Sequence, residues 1–566
     1  MTNPGGIPAS PTECDLVMQG GITSGVAYPA AVLELYKQFR FRSIGGASAG
    51  AMAAAVTAAA EYARDSGGFE RLEALRTQLQ QPGLIVEQFR PSRQAEPVFR
   101  ILLAAQAKRT TGAKAITYLW GLVRWLFLPW LLSIAVAFGL GWLLVSSAGG
   151  TLGGIGVEGW VVFVIGMLIT GALGLTLALA WSVVRLVRSL PDNNYGMVIG
   201  HRQGPRDPEA LADWLHRQIQ IIAGKDVADP LTFTDLKAKG INLQLMTTDV
   251  TGGRPVRLPN ESYSDVHYLF NLDEWRKLFP DEVLDHLARI SPVVYPGAGE
   301  LRTLPTDDLP VLVATRISLT FPVLLSAVPL WTVDGETVAR HWFADGGISS
   351  NFPIQFFDAW LPTRPTFGLY FGPKVPSSVG DQPPVDPTRE EDRPGLLGYL
   401  GAILSAGLNW HDTMQARLPG FRDRIQQIKL TDGEGGFNLT MPPETISRID
   451  AKGAAAGKAL RGFDFHQHWV ERYALAMRML QRNLVAPEDG HISMREAFPP
   501  EYREWLAAGA PGTAVADGHG ATWSAEAAEA TAKLLAGAEG WLVCGETFVD
   551  GIDPKPSVAM RITPDI

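Results

Sequence analysis

The stretch Phe41-Arg-Ser-Ile-Gly-Gly-Ala-Ser48-Ala-Gly-Ala51 joins a short apolar run to an alanine-rich segment that continues to Arg64. A strand, a glycine-rich turn and a helix in this order expose the residue at the turn at the end of a sheet. In the Gly46-x-Ser48-x-Gly50 pattern, small residues let the strand and the helix approach closely, and the helix points its amide end at a developing oxyanion. Ser48 is therefore the candidate nucleophile.

A second glycine-rich turn lies upstream of this elbow. The apolar run Asp15-Leu-Val-Met is followed by Gln19-Gly20-Gly21, and a segment with helical periodicity begins at Val26. Two consecutive glycines before a helix present free N–H groups, which suits an oxyanion hole. Each pattern is weak by itself, because 59 of the 566 residues are glycine. A tight turn without chemistry remains the alternative for the diglycine.

With a third block, Asp345-Gly346-Gly347-Ile-Ser-Ser-Asn-Phe-Pro353, the sequence resembles the patatin-like phospholipase family. The family pattern is a glycine-rich loop, a Gly-x-Ser-x-Gly elbow about two dozen residues later and a distant Asp-Gly-Gly. Residues 243–255 and 314–322 add further similarity. The resemblance covers roughly residues 12–110 and 190–372, and more faintly 558–566.

This resemblance implies an α/β fold with three α/β/α layers and hydrolysis of lipid acyl esters by a Ser–Asp dyad, without cofactor or metal. An aspartate beside a hydroxyl can act as general base if burial moves its pKa toward the working pH. The roles that it implies are nucleophile for Ser48, proton acceptor for Asp345, oxyanion hole for Gly20 and Gly21, elbow for Gly46 and Gly50, and Asp-Gly-Gly motif for Gly346 and Gly347.

The chain departs from the family pattern in the oxyanion loop. Ile22 stands where the family has a third glycine, and Ser24 stands where a basic residue is usual, while Gly25 is retained. A β-branched residue does not readily adopt a positive φ, so a left-handed conformation is not expected at Ile22.

A Ser–Asp–His triad is the competing mechanism. It needs a histidine after Asp345, and His341, four residues earlier, is more simply an ordinary residue of the strand that leads to the aspartate. The candidates in the C-terminal region are His411, His466, His468, His491 and His519.

Two long apolar runs, 125–147 and 160–184, interrupt the resemblance. Glu158 is the single charged residue between 125 and 184. Each run is long enough at about 1.5 Å per residue to cross a hydrocarbon core of about 30 Å. The sequence therefore predicts a transmembrane hairpin, and a pair of deeply buried helices is the alternative.

The flanks of the hairpin predict its orientation. Basic residues lie before the first run and after the second, while the connecting loop has none, and the positive-inside rule places both ends in the cytoplasm. We expect a multi-pass protein of the inner membrane with its catalytic domain and both termini cytoplasmic. The basic flanking residues are Lys108, Arg109, Lys114, Arg124, Arg185 and Arg188.

Charge and composition exclude several other functions. The net charge of −9 argues against a nucleic-acid partner and against electrostatic attachment to anionic lipid. The two cysteines, Cys14 and Cys544, are read as reduced thiols, and the His466-x-His468 pair as part of a helix surface rather than a metal site. The first 20 residues lack the features of a secretory signal.

The sequence thus predicts a membrane-anchored lipid acyl hydrolase whose substrate is a membrane lipid. A catalytically silent scaffold that assembles partners through the hairpin, and an esterase acting on non-lipid substrates, are the alternatives. Protein partners are not indicated. The predicted organisation is an N-terminal part of the catalytic domain at 1–110, the hairpin at 111–190, the second part at 191–372 and a C-terminal extension at 373–566.

Overall fold

The structure of the chain is a computed structural model. It describes residues 10–106, 111–147, 156–259 without 203, 205 and 206, 266–295, 299–372 without 336, 412–485 without 417, 432 and 437, 492–508 and 520–543, together with 403, 407 and 410. The loop predicted at 374–394, most of the helix predicted at 395–410, Cys544 and the segment 558–566 lie outside these residues.

Eleven strands of the described chain form one mixed sheet. They are β1 Glu13–Met18, β2 Arg40–Ala47, β3 Asn242–Asp249, β4 Arg254–Leu258, β5 Leu269–Asn271, β6 Val293–Tyr295, β7 Leu301–Thr303, β8 Val328–Asp334, β9 Thr337–Asp345, β10 Thr366–Phe371 and β11 Ile425–Ile428.

The helices of the described chain alternate with these strands in its first half and dominate its second. They are α1 Tyr28–Tyr36, α2 Ala49–Tyr62, α3 Gly68–Leu79, α4 Leu84–Glu87, α5 Glu96–Gln106, α6 Thr111–Ser147, α7 Val157–Ser189, α8 Leu211–Ala223, α9 Phe233–Ala238, α10 Leu272–Trp275, α11 Asp281–Ile290, α12 Val311–Ser318, α13 Pro443–Arg461, α14 Phe465–Leu484, α15 Met494–Ala497, α16 Pro500–Ala507 and α17 Gly520–Val543.

The sheet has a parallel half and an antiparallel half. Its strand order is β11-β10-β1-β2-β3-β9-β8-β5-β7-β6, and β4 pairs with β3 beside this path. The pairs from β11 to β3 are parallel, whereas β9 runs antiparallel to both β3 and β8. The carboxyl ends of β1, β2 and β3 therefore meet at one edge, where ligand sites form in open α/β sheets.

The two faces of the sheet are covered differently. Leu16 and Met18 of β1 point into the main core, which helices such as α1, α2, α3, α8 and α12 build on that face. Val17 points to the other face, where it packs on Phe352, Ile354 and Phe421. The predicted α/β class is confirmed. In the described chain the second layer is thinner than the first, and a 3-10 turn at Ile354–Phe357 forms part of it.

The sheet continues past the predicted boundary at residue 372. Strand β11 pairs in parallel with β10, with Gly368 opposite Ile425. Helix α13 packs on α1 so closely that a Cβ on its Gly457 would lie 2.3 Å from the Ala31 carbonyl oxygen. Strand β11 and helix α13 are therefore part of the sheet-bearing domain rather than an extension of it.

The two apolar runs are helical and lie within α6 and α7. One helical stretch of the described chain, Val164–Asn193, is long and apolar enough to cross a bilayer by length and composition, and Trp130–Leu143 is a shorter apolar stretch. The chain leaves and rejoins the domain at neighbouring points, because the Ser92 N–H donates to the Met197 carbonyl at 2.7 Å. The hairpin is thus an insertion with a closed base.

Candidate active site

Ser48 lies at a strained turn between β2 and α2. Its backbone has φ 54° and ψ −130°, a conformation that non-glycine residues rarely adopt. Such a backbone costs on the order of 1–3 kcal/mol and is characteristic of functional sites. Its N–H donates to the Ser318 hydroxyl at 3.2 Å, and that hydroxyl donates to the Met246 carbonyl at 2.5 Å. The turn is therefore held from α12 and β3.

Gly46 and Gly50 are required at this elbow by close approach. A Cβ on Gly50 would lie 2.1 Å from the Met18 carbonyl oxygen, and a Cβ on Gly46 would lie 2.6 Å from the backbone of Gly50. Neither glycine has a positive φ. The two glycines of the Gly-x-Ser-x-Gly pattern are therefore required because β1, β2 and α2 approach closely. Of the three residues, only the serine has a strained backbone.

Asp345 ends β9 and begins the Asp-Gly-Gly turn. Gly346 starts a 3-10 turn, Gly346–Ile348, and the Gly347 N–H donates to Asp345 Oδ1 at 2.7 Å. The Asp345 N–H donates to the Thr320 carbonyl at 2.7 Å. Asp345 is 3% exposed, so its carboxylate is held in the interior at the end of its strand.

Strand β3 brings Ser48 and Asp345 together. Ala47, the residue before Ser48, lies opposite Met246, and Asp345 lies opposite Thr247. Met246 and Thr247 are adjacent in β3, and β2 and β9 pair with the two sides of this strand. The ends of β2 and β9 therefore meet at the same edge of the sheet. Residues 297 apart in sequence (345 minus 48) thus become neighbours.

The environment of Asp345 suits a general base. Burial raises the pKa of its carboxyl from 3.8 to about 6, although the Ser48 side chain and the Gly347 N–H act to lower it. Oδ2 is buried and has no hydrogen-bond partner in the described chain, so one oxygen of the carboxylate is available to accept a proton.

The two glycines predicted for the oxyanion hole differ in what their N–H groups do. The Gly20 N–H donates to the Asn351 carbonyl at 2.8 Å and is not available to an oxyanion. The N–H groups of Gly21 and Ala49 have no acceptor in the described chain. The loop lies against Ser48, since a Cβ on Gly20 would be 2.8 Å from the Ser48 Cβ. Gly21 remains a candidate donor, and Ala49 joins it.

Ile22 does not need the conformation that a glycine would permit. It is absent from the positive-φ residues of the described chain, as expected for a β-branched residue. Its side chain instead lines the cavity beside Ser48. The departure from the family pattern therefore places an apolar side chain on the wall of the cavity.

An apolar pocket opens beside Ser48. Its cavity volume is about 90 Å³, and α2, α3, α4 and α8 form its walls. Met52 and Ala53 follow Ser48 along α2, and Phe89 and Trp214 lie on other walls. Gln88 is a polar residue among many apolar ones. A pocket with this lining fits an apolar chain rather than a charged ligand.

The histidines with described surroundings belong to other contacts. His341 Nδ1 lies 2.9 Å from Asp249 Oδ2, and its Nε2 lies 3.0 Å from the Thr332 hydroxyl. His468 is buried against Phe463, and burial, reinforced by two arginines, lowers its pKa to about 3. His466 lies on the same helix, α14, whereas His411, His491 and His519 lie outside the described residues.

Two contributors to the site were not singled out from the sequence. Ser318 holds the Ser48 turn, and Asn351 holds the Gly20 loop. Both fall inside the blocks 314–322 and 345–353 that carry the family resemblance, which was the available signal. Among the described residues, no group of three or more His, Cys, Asp or Glu side chains is placed to hold a metal ion.

Comparisons with known proteins give one full-length relative. The RpoH suppressor of Rhizobium meliloti (strain 1021) is 31% identical, over 97% of this chain and 98% of the relative. No family model matches the chain. Among solved structures, VipD from Legionella pneumophila matches with a TM-score of 0.30 and 14% identity, covering 98% of this chain and 95% of VipD. A chain of the ExoU–SpcU complex from the type III secretion system of Pseudomonas aeruginosa matches with a TM-score of 0.25 and 15% identity. The match covers 96% of this chain and 79% of that chain.

Proposed function

This chain belongs to the family of the Rhizobium meliloti RpoH suppressor, and for it we propose a membrane-anchored serine hydrolase that cleaves acyl esters of lipids. The observation that carries the proposal is the position of Ser48. It has the strained backbone of a nucleophile elbow, it lies beside a buried carboxylate, and it lines an apolar pocket. Nucleophile, base and acyl site are thus adjacent.

The reaction proceeds in two halves through an acyl-enzyme. The Ser48 hydroxyl attacks the ester carbonyl while Asp345 accepts its proton, and the tetrahedral oxyanion is stabilised by main-chain N–H groups. Asp345 returns the proton to the departing alcohol as the C–O bond breaks. Water then attacks the acyl-enzyme with Asp345 again as base, and the free acid and the Ser48 hydroxyl are released.

Two features support an aspartate working without histidine. A pKa of about 6 leaves the Asp345 carboxyl largely ionised at neutral pH while still basic enough to take a proton. His341 lies on the same strand, but both of its ring nitrogens contact other side chains, Asp249 and Thr332. The dyad is therefore the mechanism that fits the described residues.

The lipid substrate is supported by the lining of the pocket. The cavity beside Ser48 is lined predominantly by apolar side chains from several helices. An acyl chain in this pocket would hold its ester carbonyl near Ser48 by burial of methylene groups, each contributing about 0.8 kcal/mol. Binding of the remote chain would thus orient the reacting ester.

Membrane anchoring is supported by the exposure of α6 and α7. Leu132, Leu168 and Ile169 are 66%, 68% and 64% exposed, and only 6% of the most apolar window of Val164–Asn193 is buried. A buried pair of core helices would have these side chains covered. The apolar surface of the hairpin matches a hydrocarbon environment, and the basic flanks favour cytoplasmic ends.

The base of the hairpin is close to the pocket along the chain. Phe89 lines the pocket, and the next residues, Arg90 and Ser92, make the hydrogen bonds that close the base of the insertion with Ile199 and Met197. A hairpin fixed at this position would hold the pocket near the leaflet that contains its substrate. The tether raises the effective concentration of lipid without a basic surface.

The proposal is tested by labelling with a fluorophosphonate probe in detergent. We expect the wild-type protein and Ser66→Ala, a control serine between α2 and α3, to be labelled, and Ser48→Ala to remain unlabelled. Absence of labelling in the wild type would favour the silent scaffold. Labelling that survives in Ser48→Ala would overturn the assignment of the nucleophile.

The substrate class needs a second measurement. Wild type and Ser48→Ala are incubated with phospholipid vesicles and with soluble short-chain esters, and the released acid is measured. We expect acid from the vesicles, and only with the wild type. Release from the soluble esters alone would contradict a lipid hydrolase and support the esterase alternative.

A further inference from the structure

The C-terminal half of the chain contributes a buried carboxylate to the loop that follows Asp345. Asp412 is 3% exposed. Its Oδ1 accepts a hydrogen bond from the Ser350 hydroxyl at 2.7 Å, and its Oδ2 accepts from the Asn351 N–H at 2.7 Å and from the Phe352 N–H at 2.8 Å. Three consecutive residues of the loop are therefore fixed by one side chain, which lies about 60 residues further along the chain.

Asn351 connects this anchor to the other loops of the site. Its carbonyl accepts the Gly20 N–H at 2.8 Å, and its side-chain amide donates to the Gly20 carbonyl at 3.3 Å. Its Oδ1 would lie 2.0 Å from a Cβ on Gly20 and 2.7 Å from a Cβ on Gly347. The Asn351 side chain thus occupies the space between the oxyanion loop and the Asp-Gly-Gly turn.

The contacts form a continuous path to both reacting groups. One end of the 345–352 loop bears the Gly347 N–H that holds Asp345 Oδ1, and the other end is bound to Asp412. Through Asn351 the same loop holds Gly20, which precedes the candidate oxyanion donor Gly21. Movement of Asp412 would therefore displace the base and the oxyanion loop together.

We infer that Asp412 is a positioning residue for the hydrolytic reaction, which holds the general base and the oxyanion loop in register through Ser350, Asn351 and Phe352. The inference rests on the proposed function for its kinetic consequence. Asp412 touches neither Ser48 nor Asp345 in the contacts above. It acts through main-chain groups, and it makes the chain after residue 372 a necessary part of the active site.

The chemistry of the anchor favours this role over simple packing. A buried carboxylate must recover the hydration that it loses, and hydrogen bonds to an ionised acceptor are shorter and stronger than neutral ones. The donors that recover it here include two successive main-chain N–H groups, which fixes the backbone and not merely the side chains. The Asp450–Arg76 pair, by comparison, joins two side chains.

The groups that face Asp345 determine how a change in the loop would alter its pKa. They are the Ser48 hydroxyl from α2, the Gly347 N–H of its own turn, the Thr320 carbonyl after α12 and the Thr248 hydroxyl of β3, which donates to the Asp345 carbonyl. None is a charged side chain. The Gly347 N–H favours the ionised form, so a loosened loop would raise the pKa of Asp345.

The test compares Asp412→Asn with Asp450→Asn, a matched loss of charge at a buried carboxylate in α13. We expect Asp412→Asn to lower kcat about tenfold to a hundredfold with little change in KM. The pH at which its kcat/KM rises should be higher than in the wild type. Asp450→Asn should lower the melting temperature while leaving kcat and the pH profile unchanged.

Amide hydrogen exchange decides the inference independently of activity. In Asp412→Asn, the peptides that contain Gly20 and residues 350–352 should exchange faster, and those of α13 should not. If the wild-type protein proves inactive, the proposed function fails, yet the exchange of the Gly20 peptide still tests the anchor. The inference would be overturned if Asp412→Asn changed neither kcat nor exchange. It would also be overturned if the loss of activity matched the unfolded fraction and the pH profile did not shift.

Discussion

The N–H of Gly20 donates to the carbonyl of Asn351 at 2.8 Å, although 331 residues separate them. This contact ties the glycine-rich loop that precedes α1 to the loop that follows Asp345. It also removes the first glycine of the loop from the set of candidate oxyanion donors. The glycine-rich loop and the loop after Asp345 are therefore joined directly through the main chain as well as across the sheet.

Replacement of Asp345, the proposed base, should sharply reduce turnover and remove its pH dependence. We expect Asp345→Asn to lower kcat/KM by about 10²- to 10⁴-fold, because an amide cannot accept the Ser48 proton. In the wild type, kcat/KM should rise as pH increases through about 6, where Asp345 ionises. Asp65→Asn, a change at an exposed aspartate, is the control. A wild-type profile that is flat from pH 5 to 8 would contradict the role of Asp345.

The same substitution should stabilise the fold at alkaline pH. Burial raises the pKa of Asp345 from 3.8 to about 6, so the folded state retains a proton that the unfolded state has released. Stability from this group is present below pH 3.8 and is lost as pH rises through about 6. The difference amounts to about 3 kcal/mol. Denaturant unfolding should show that Asp345→Asn is more stable than the wild type at pH 8, and that the difference in unfolding free energy is much smaller at pH 4. An equal difference at both pH values would exclude burial of the carboxylate as its cause.

A methyl group at the elbow should be far more damaging than one on an exposed helix. In Gly50→Ala the Cβ would lie 2.1 Å from the Met18 carbonyl oxygen, so β1 and α2 must separate. We expect a loss of several kcal/mol in unfolding free energy, on the scale of severe overpacking, and loss of probe labelling. Gly537→Ala in α17 meets no atom within 4 Å and should be neutral or stabilising by up to about 1 kcal/mol. Equal melting temperatures for the two variants would refute the steric account.

Side chains in the pocket should set the length of the acyl chain. Ala53→Phe fills space one helical turn beyond Ala49 along α2, so hydrolysis of long-chain esters should fall at least tenfold while short-chain esters are retained. Met52→Ala enlarges the same pocket and should shift the preference toward longer chains. A series of ester substrates of increasing chain length measures both shifts. Unchanged chain-length profiles would place the acyl chain elsewhere.

Removal of the hairpin should separate location from chemistry. The base of the insertion is already closed by the Ser92–Met197 hydrogen bond, so replacement of residues 111–190 by a flexible linker should leave the catalytic domain folded. We expect the variant to leave the membrane fraction, to keep fluorophosphonate labelling of Ser48 and to lose most hydrolysis of vesicle lipid. A variant that still sediments with membranes would show that α6 and α7 are not the anchor.

Much of the site could be predicted from local patterns. The elbow at Ser48, the Asp-Gly-Gly turn and the two long helices each depend on residues close together in sequence. The requirement for glycine at 46 and 50 was predictable as close approach, and the structure shows it at atomic distances. Ile22 is a different case. The sequence identified it as a departure from the family pattern, but only the packing shows that its side chain lies on the wall of the pocket.

Other parts of the site depend on contacts that no local pattern encodes. The pairing of β11 with β10 carries the sheet beyond residue 372, and Asp412 reaches the loop after Asp345 from that same region. Gly20 shows the limit most clearly. A diglycine before a helix predicts free N–H groups, but whether an acceptor lies opposite each one depends on where a distant loop packs.

The sequence by itself determined that Ser48 stands on a strand-to-helix turn and that a Gly20-Gly21 loop, an Asp345 block and two apolar helices accompany it. These are properties of backbone conformation and side-chain type, which neighbouring residues set. The tertiary structure alone decided that β3 brings Ser48 to Asp345, that Asn351 takes the Gly20 N–H and that Asp412 anchors the loop between them. Hydrogen bonds between distant segments form only after the sheet has set their distance and direction, so the partners of a buried polar group are fixed by the fold as a whole.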